Sequence, residues 1–216
     1  MYFWRRNSTL QPIEALSESF QRHIDRLAGC VERLEKHLVN REVSVTDAEL
    51  LYTSAFLSVC ARWQSFMEDS IIEASCGRES RSRTNYRHVE FQSRAALRRL
   101  LLYPDKDYIS LPSLKQGIAM ASLLVNQGRP LSQISEPNQT HIQQAVWIRN
   151  AIAHQSDHSL RVFREKVPGV STLPHPRRRP GPFLRTVFRS SPTQRRYEIY
   201  FTAFKSAAKE VMKAWQ

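Results

Sequence analysis

Apolar residues recur every three or four positions along much of this chain, which is the spacing that buries one face of an α-helix. Near the N-terminus this apolar stripe consists of Leu16, Phe20, Ile24, Leu27, Val31, Leu34 and Leu38. The stripe predicts a long first helix. A second helix is predicted from Thr46, which forms a capping box with Glu49, to a stop at Gly77. It is apolar over most of its circumference, so we expect it at the centre of the fold.

Three shorter helices are predicted in the middle of the chain. The first lies near 88–102, after a connector at 78–87 that is rich in arginine and serine. The second runs from Ser113 to Val125. In the third, Pro137 suits the first turn of a helix that continues to about Gln155. The chain is therefore expected to be all-α.

The C-terminal part carries a different pattern. Residues 168–182 are too rich in proline for regular structure and are expected to form an exposed loop. Two short segments, 183–188 and 195–201, are separated by turn residues and predict a short β-hairpin insertion near 183–201. A last helix is expected from about Thr202 to Trp215.

Length and composition favour a single helical domain over residues 1–216, with basic insertions at 76–112 and 156–200. No apolar run reaches the ~18 residues needed to cross a membrane, so we expect no membrane partner. The N-terminus shows no apolar segment followed by a cleavage site, so a cytoplasmic location is expected. The three cysteines form no CxxC pair, which argues against a zinc site or a disulfide framework. We expect neither a metal nor a cofactor.

The chain is strongly basic, with a net charge of +12 from 32 Lys and Arg against 20 Asp and Glu. Ten of the basic residues fall within 156–196, where only Asp157 and Glu165 oppose them. Such an excess is typical of a protein that meets a polyanion, and we expect RNA to be that partner. The alternative for these runs is a solvated loop. The candidate RNA-binding side chains are Arg177, Arg178, Arg179, Arg185 and Trp147.

One charged residue interrupts an apolar stripe. At about 100° per residue, Arg149 falls in the middle of the arc that contains Ile142 and Ala145. A cation on a buried face must find a partner, because an unpaired charge in a low dielectric costs several kcal/mol. The acidic residues available on the second helix are Glu68, Asp69 and Glu73. One interpretation is therefore a buried ion pair between two helices, with His154 merely ending its helix.

A second interpretation comes from a family resemblance. The string from Arg149 to His154 resembles the signature of the HEPN superfamily (higher eukaryote and prokaryote nucleotide-binding domains). That signature is an arginine followed four to six residues later by a histidine, often with an asparagine directly after the arginine, as Asn150 is here. The segment "SAFLSVCARWQSFMEDSI" is similar to the apolar and aromatic helix of the family, so the likeness covers roughly 45–75 and 137–156.

The resemblance implies an all-α up-and-down bundle that forms a homodimer, with the two motifs facing each other across a cleft. It also implies a metal-independent endoribonuclease, since many members cleave single-stranded RNA or tRNA. Such enzymes frequently belong to toxin and antitoxin pairs or to antiphage defence, so an antitoxin or another protein of a defence system is an implied partner. Other members bind RNA or nucleotides without cutting.

Within that resemblance, each residue type suits a step of RNA cleavage. His154 can take the proton from a 2′-hydroxyl near neutral pH. Arg149 can neutralise the charge that builds on the phosphate oxygens, and Asn150 can orient the phosphate or the imidazole. We expect Glu68 or Asp69 to hold Arg149 in place. The products would be a 2′,3′-cyclic phosphate and a 5′-hydroxyl.

The same residues allow three other interpretations. His154 and His158 are one helical turn apart and, with Asp157, resemble part of a zinc site, although no third ligand is predicted by the spacing. The same bundle could bind RNA or a nucleotide without cutting it, in which case His154 would be dispensable. It could also be a dimerisation module.

Trp147 shares a helix face with Asn150 and His154, which makes it the one tryptophan expected near an RNA ligand.

Overall fold

The computed structural model of the chain describes residues 13–76, 91, 93–102, 109 and 111–215. Within these residues the backbone forms eight α-helices and a two-stranded antiparallel hairpin, which confirms the predicted all-α fold with a short β insertion. The helices are α1 (Ile13–Val39), α2 (Val45–Cys76), α3 (Arg94–Leu101), α4 (Leu114–Ser122), α5 (Glu136–His154), α6 (Asp157–Lys166), α7 (Pro180–Arg185) and α8 (Arg196–Trp215). The hairpin pairs β1 (Val187–Ser190) with β2 (Thr193–Arg195). None of the described helices has both the length and the apolar character required to span a bilayer.

Helix α2 lies at the centre of the fold, as its apolar pattern predicts. Its buried residues extend from Ala48 to Cys76, and it packs against α1, α8 and most of the shorter helices. An aromatic cluster joins the three long helices. Phe20 of α1 stacks on Phe66 of α2 with 5.3 Å between ring centroids, and Trp63 of α2 contacts Phe204 of α8, also at 5.3 Å. Aromatic rings bury large apolar areas, so this cluster contributes much of the hydrophobic stabilisation.

The start of α2 differs from the prediction. The capping box is formed two residues earlier, by Ser44 and Asp47: the Asp47 backbone N–H donates to Ser44 Oγ at 3.1 Å, and the Ser44 backbone N–H donates to Asp47 Oδ2 at 3.3 Å. The prediction of Thr46 and Glu49 in these roles is wrong. Both pairs have the three-residue spacing of a capping box, so the spacing alone does not distinguish between them. The predicted stop at Gly77 and the connector at 78–87 lie outside the described residues.

The two short helices before α5 begin at serine caps. Ser93 accepts a hydrogen bond from the backbone N–H of Ala96 at the start of α3, and Ser113 accepts one from Gln116 at the start of α4. Helix α4 ends at Ser122, three residues before the predicted end. The first part of the helix predicted near 88–102 lies outside the described residues.

Helix α6 was not predicted. The predicted helix ends at about Gln155, and the structure shows a further helix directly after it: Ser156 caps α6 by accepting a hydrogen bond from the Ser159 backbone N–H at 3.2 Å. Phe163 is buried on the inner face of α6 and contacts Phe183 of α7 with 5.4 Å between ring centroids. The proline-rich segment 168–182 is also more ordered than predicted, since it contains a 3₁₀ turn and the start of α7.

The hairpin exists, but it is shorter than predicted. Residues 183–185 belong to α7, and β2 ends at Arg195, so the prediction that 195–201 forms a strand is wrong. Tyr197, Phe201 and Phe204 have the three- and four-residue spacing of a helix face, and all three are buried. Tyr197 packs edge-on against Tyr52 of α2 at 5.3 Å between ring centroids, and such contacts fix this segment as the first turns of α8.

Candidate active site on helix α5

Arg149 lies on the inner side of α5 and is half-buried there. Its Nη1 donates a 2.9 Å hydrogen bond to Oδ1 of Asn150, the next residue. Among the residues that the structure describes, no carboxylate lies within ion-pair distance of Arg149. The guanidinium is therefore oriented by a neutral amide, and its charge is not compensated by a protein anion in this part of the chain.

The expectation that Glu68 or Asp69 holds Arg149 is wrong. The Glu68 carboxylate pairs with Arg98 of α3, and Asp69 makes no ion pair with Arg149. Glu73, the third candidate, pairs with Arg94 of α3 at 2.7 Å. The physical reason is that α3 presents two arginines one helical turn apart, which meet the acidic end of α2.

The Arg149 side chain lines a pocket between α2, α4, α5 and α8, with a volume of about 310 Å³ including its open mouth. The pocket is mostly apolar, and its other lining residues include Cys60, Trp63, Gln64, Met67, Ser113 and Phe204. Burial raises the pKa of the Cys60 thiol to about 12, against the opposing effect of the Arg149 charge. Cys60 is therefore a neutral thiol at neutral pH and not an activated nucleophile.

His154 is the last residue of α5 and is exposed to solvent. It follows Arg149 by five residues, which corresponds to about 7.5 Å along the helix axis and about 140° around it. Gln155 adopts a left-handed conformation with φ of 50°, which ends α5 before α6 begins. The imidazole thus lies at the corner between two helices, where a large ligand has access to it.

The other residues of this corner have simpler roles. His158 is exposed and its Nδ1 lies 3.4 Å from Arg161 Nη2, within hydrogen-bond distance. Among the described residues, no group of three or more His, Cys, Asp and Glu side chains is arranged to hold a metal ion.

Trp147 is only half-buried and packs against the hydrophobic core, so much of its ring is used in packing.

The predicted RNA-binding arginines are used differently from one another. Arg185 is not available, because its Nε donates to Glu35 Oε1 at 2.8 Å and its Nη2 reaches Oε2 at 3.5 Å. Arg178 is half-buried and donates to the Leu173 carbonyl oxygen at 2.8 Å. Arg177 and Arg179 are exposed, and Arg179 lies 3.8 Å from a carboxylate oxygen of Glu49. Only these last two remain open to a polyanion.

Glu35 is the centre of a charged network that sequence reasoning missed. Besides Arg185, its carboxylate accepts hydrogen bonds from Arg195 Nη2 at 2.7 Å and from the Tyr52 hydroxyl at 3.0 Å. Burial alone would raise the pKa of Glu35, but the hydrogen bonds from Arg185 and Tyr52 and the charge of Arg195 outweigh it and lower the pKa. The network joins α1 and α2 to the last residue of α7 and to the last residue of β2. An acidic residue between apolar positions on α1 was the available sequence signal.

Comparison of the chain with protein-family models, with curated proteins and with solved structures finds no match. The likeness to the HEPN superfamily thus depends on Arg149, Asn150 and His154 and on the helices that carry them. The function of the chain is accordingly inferred from the chemistry of its own side chains.

Proposed function

We propose that this chain is a HEPN-type endoribonuclease that cleaves single-stranded RNA or tRNA without a metal ion. The observation that carries the proposal is the Arg149 guanidinium, which is half-buried at a pocket and has no carboxylate partner among the described residues. A partly desolvated cation gains most from an anion that arrives with the substrate. A phosphodiester supplies that anion, and its two non-bridging oxygens match the planar fork of a guanidinium.

His154 acts as the general base in this reaction. It takes the proton from the 2′-hydroxyl, whose oxygen then attacks the adjacent phosphorus. Arg149 stabilises the additional negative charge on the non-bridging oxygens, and Asn150 positions the guanidinium through the 2.9 Å hydrogen bond. The bond to the 5′-oxygen breaks, so the products are a 2′,3′-cyclic phosphate and a 5′-hydroxyl.

A homodimer supplies the remaining proton. The departing 5′-oxygen must be protonated, and a single imidazole that has just acted as base does not provide a separate acid. In a dimer with facing motifs, the partner subunit's His154 donates this proton. The exposed corner between α5 and α6 leaves His154 accessible to a second copy of the chain. We place this activity in the cytoplasm, in a toxin and antitoxin pair or an antiphage system whose protein partner controls it.

Cleavage assays with four variants test the proposal. Purified wild-type protein in EDTA is expected to cut single-stranded RNA or tRNA, and His154→Ala and Arg149→Ala are expected to lower the rate by at least a hundredfold. His158→Ala and Arg164→Ala are matched controls, since both residues are exposed on the neighbouring helix α6. These controls should cut at nearly the wild-type rate. Absence of cutting by the wild-type protein, or equal losses in the controls, would contradict the proposal.

The chemistry of the ends tests the mechanism separately. A substrate with a single 2′-deoxynucleotide at the cut site should resist cleavage there, because the attacking hydroxyl is missing. The downstream product should accept a phosphate from polynucleotide kinase directly, since its 5′-hydroxyl is free. A 5′-phosphate on that product would mean that water, and not the 2′-hydroxyl, is the nucleophile.

A non-catalytic RNA-binding module is the second candidate function. The observation in its favour is the angle of about 140° between Arg149 and His154 around the helix, which requires the long arginine side chain to reach toward the imidazole. This candidate predicts that wild-type protein binds RNA with a strong salt dependence and does not cut it, and that His154→Ala binds equally well.

A further inference from the structure

A cationic cluster lies between α1 and α2, on the face of α2 opposite the Arg149 pocket. Ser58 and Arg62 are four residues apart on α2 and therefore lie on the same side of the helix. Cys60 and Met67, which line the pocket, lie on the opposite side, about 180° away around the helix axis. The cluster faces α1, where its partners are separated by three or four residues. We define the α1–α2 cationic cluster as Ser19, His23, Arg26, Ser58 and Arg62.

Two hydrogen bonds across the helix interface hold this cluster together. Arg62 Nη2 donates to Ser19 Oγ at 3.3 Å, and His23 Nε2 lies 3.1 Å from Ser58 Oγ. Arg62, His23 and Ser58 are half-buried, and Arg26 is exposed beside them. Two pairs of side chains, each with one member on α1 and one on α2, are thus held at this helix interface.

The positive charge of the cluster has no protein counterion in the described part of the chain. No described carboxylate lies within ion-pair distance of Arg26 or Arg62. The neighbouring acids of α1 point elsewhere, since Glu18 pairs with Arg22 at 3.5 Å and Asp25 pairs with Lys205 of α8 at 2.6 Å. Burial lowers the pKa of His23, and the positive charges of Arg62 and Arg26 lower it further.

We propose that the α1–α2 cationic cluster is a binding site for a phosphate group. Two guanidinium forks and two hydroxyl groups are the donors that proteins use to hold phosphate oxygens. An arriving phosphate would supply the missing negative charge and make His23 a further donor by favouring its protonated form. The site is separate from Arg149 and does not depend on the proposed nuclease activity. The phosphate group comes either from a small phosphorylated molecule or from the backbone of RNA.

Phosphate titration followed by NMR of the histidine side chains tests this site. The His23 signal is assigned with His23→Gln, and sodium phosphate is added at constant ionic strength and pH, with sodium chloride as the reference salt. We expect a saturable shift of the His23 signal with phosphate only. Arg26→Ala and Arg62→Ala should each weaken the apparent affinity at least tenfold. Arg33→Ala is the matched control, because Arg33 is exposed on the same helix outside the cluster and should leave the affinity unchanged.

The outcomes decide the proposal and its source of phosphate. Arg26 is exposed, so Arg26→Ala should fold even where Arg62→Ala does not, and circular dichroism checks both. A 2′-O-methyl oligoribonucleotide, which cannot be cleaved by 2′-hydroxyl attack, should shift the His23 signal at lower concentration than inorganic phosphate if RNA backbone is the source. A shift with inorganic phosphate alone assigns the site to a small phosphorylated molecule. The proposal of a phosphate site would be overturned if phosphate and chloride shifted the His23 signal equally, or if Arg33→Ala and Arg26→Ala weakened the phosphate affinity equally.

Discussion

The carboxylate of Glu210 caps the helix that carries Arg149 through its hydrogen bonds to Ser135. Glu210 Oε2 accepts from the Ser135 backbone N–H at 2.9 Å, and Oε1 accepts from Ser135 Oγ at 2.8 Å and from Asn138 Nδ2 at 3.0 Å. The Ser135 side chain accepts no hydrogen bond from the first turn of α5, and a carboxylate from α8 instead holds this N-cap residue in place. A carboxylate at this end also interacts favourably with the helix dipole. The orientation of the candidate site therefore depends on α8.

Glu210→Ala should destabilise the protein by about 1–2 kcal/mol, because it removes the carboxylate that accepts hydrogen bonds from the backbone N–H of Ser135 and from the Ser135 and Asn138 side chains. The free energy of unfolding in urea measures this loss. Lys209→Ala is the control, since Lys209 is the exposed neighbour on α8 and its removal should change the free energy of unfolding by less than about 0.5 kcal/mol. Equal stability of Glu210→Ala and the wild type would mean that water replaces the cap without cost.

Glu35→Gln should cost about 2–3 kcal/mol at neutral pH, because it removes the charged acceptor that serves Arg185 and Arg195. The pKa of Glu35 is lowered in the folded state, so the unfolded chain takes up its proton first as the pH falls. The stabilisation is therefore complete above the ordinary value of 4.5 and is lost as the pH falls through the lowered pKa. Urea unfolding between neutral and acidic pH should show the difference from wild type shrinking in acid.

The control for this experiment is Glu32→Gln, which changes an exposed acid on the same helix. It should alter the free energy of unfolding by less than about 0.5 kcal/mol at every pH. A difference between Glu35→Gln and wild type that stayed constant into strong acid would contradict the linkage argument.

Arg149→Met should leave stability unchanged or raise it by about 1 kcal/mol, while RNA cleavage is lost. The reason is that an apolar side chain replaces a half-buried cation with no carboxylate partner. Arg94→Met provides the contrast, because it removes the 2.7 Å ion pair to the buried Glu73 carboxylate and should cost about 2–3 kcal/mol. Urea unfolding of both variants separates the two cases. A loss of about 2–3 kcal/mol for Arg149→Met as well would identify Arg149 as structural.

Periodicity in the sequence was sufficient to predict the long helices and the position of Arg149. The stripe beginning at Leu16 predicts α1, and the interruption of an apolar face at Arg149 is visible without coordinates. Helix α6 was missed because its apolar face is short, with Phe163 as its largest buried side chain. Its start, at Asp157, also resembles the end of the preceding helix.

The partners of charged residues could not be predicted in the same way. The sequence offers both Arg149 and Arg98 as partners for Glu68, and the choice between them depends on where α3 packs. The same holds for Arg185, which looks like part of a basic run but is the last residue of α7 and donates to Glu35 of α1. Ion pairs between distant segments depend on tertiary positions that local spacing does not encode.

Arg62→Ala should raise the pKa of His23, because it removes a positive charge that disfavours the imidazolium form. The value should stay below the ordinary 6.5, since burial is the largest cause of the lowering and remains in part. In the wild type, the unfolded chain binds this proton more readily than the folded one, so stability falls as the pH drops below 6.5. The variant should lose less stability over that range. NMR titration of the His23 side chain measures the pKa directly, and an unchanged or lower value in Arg62→Ala would show that the guanidinium lies too far from the imidazole to repel its proton.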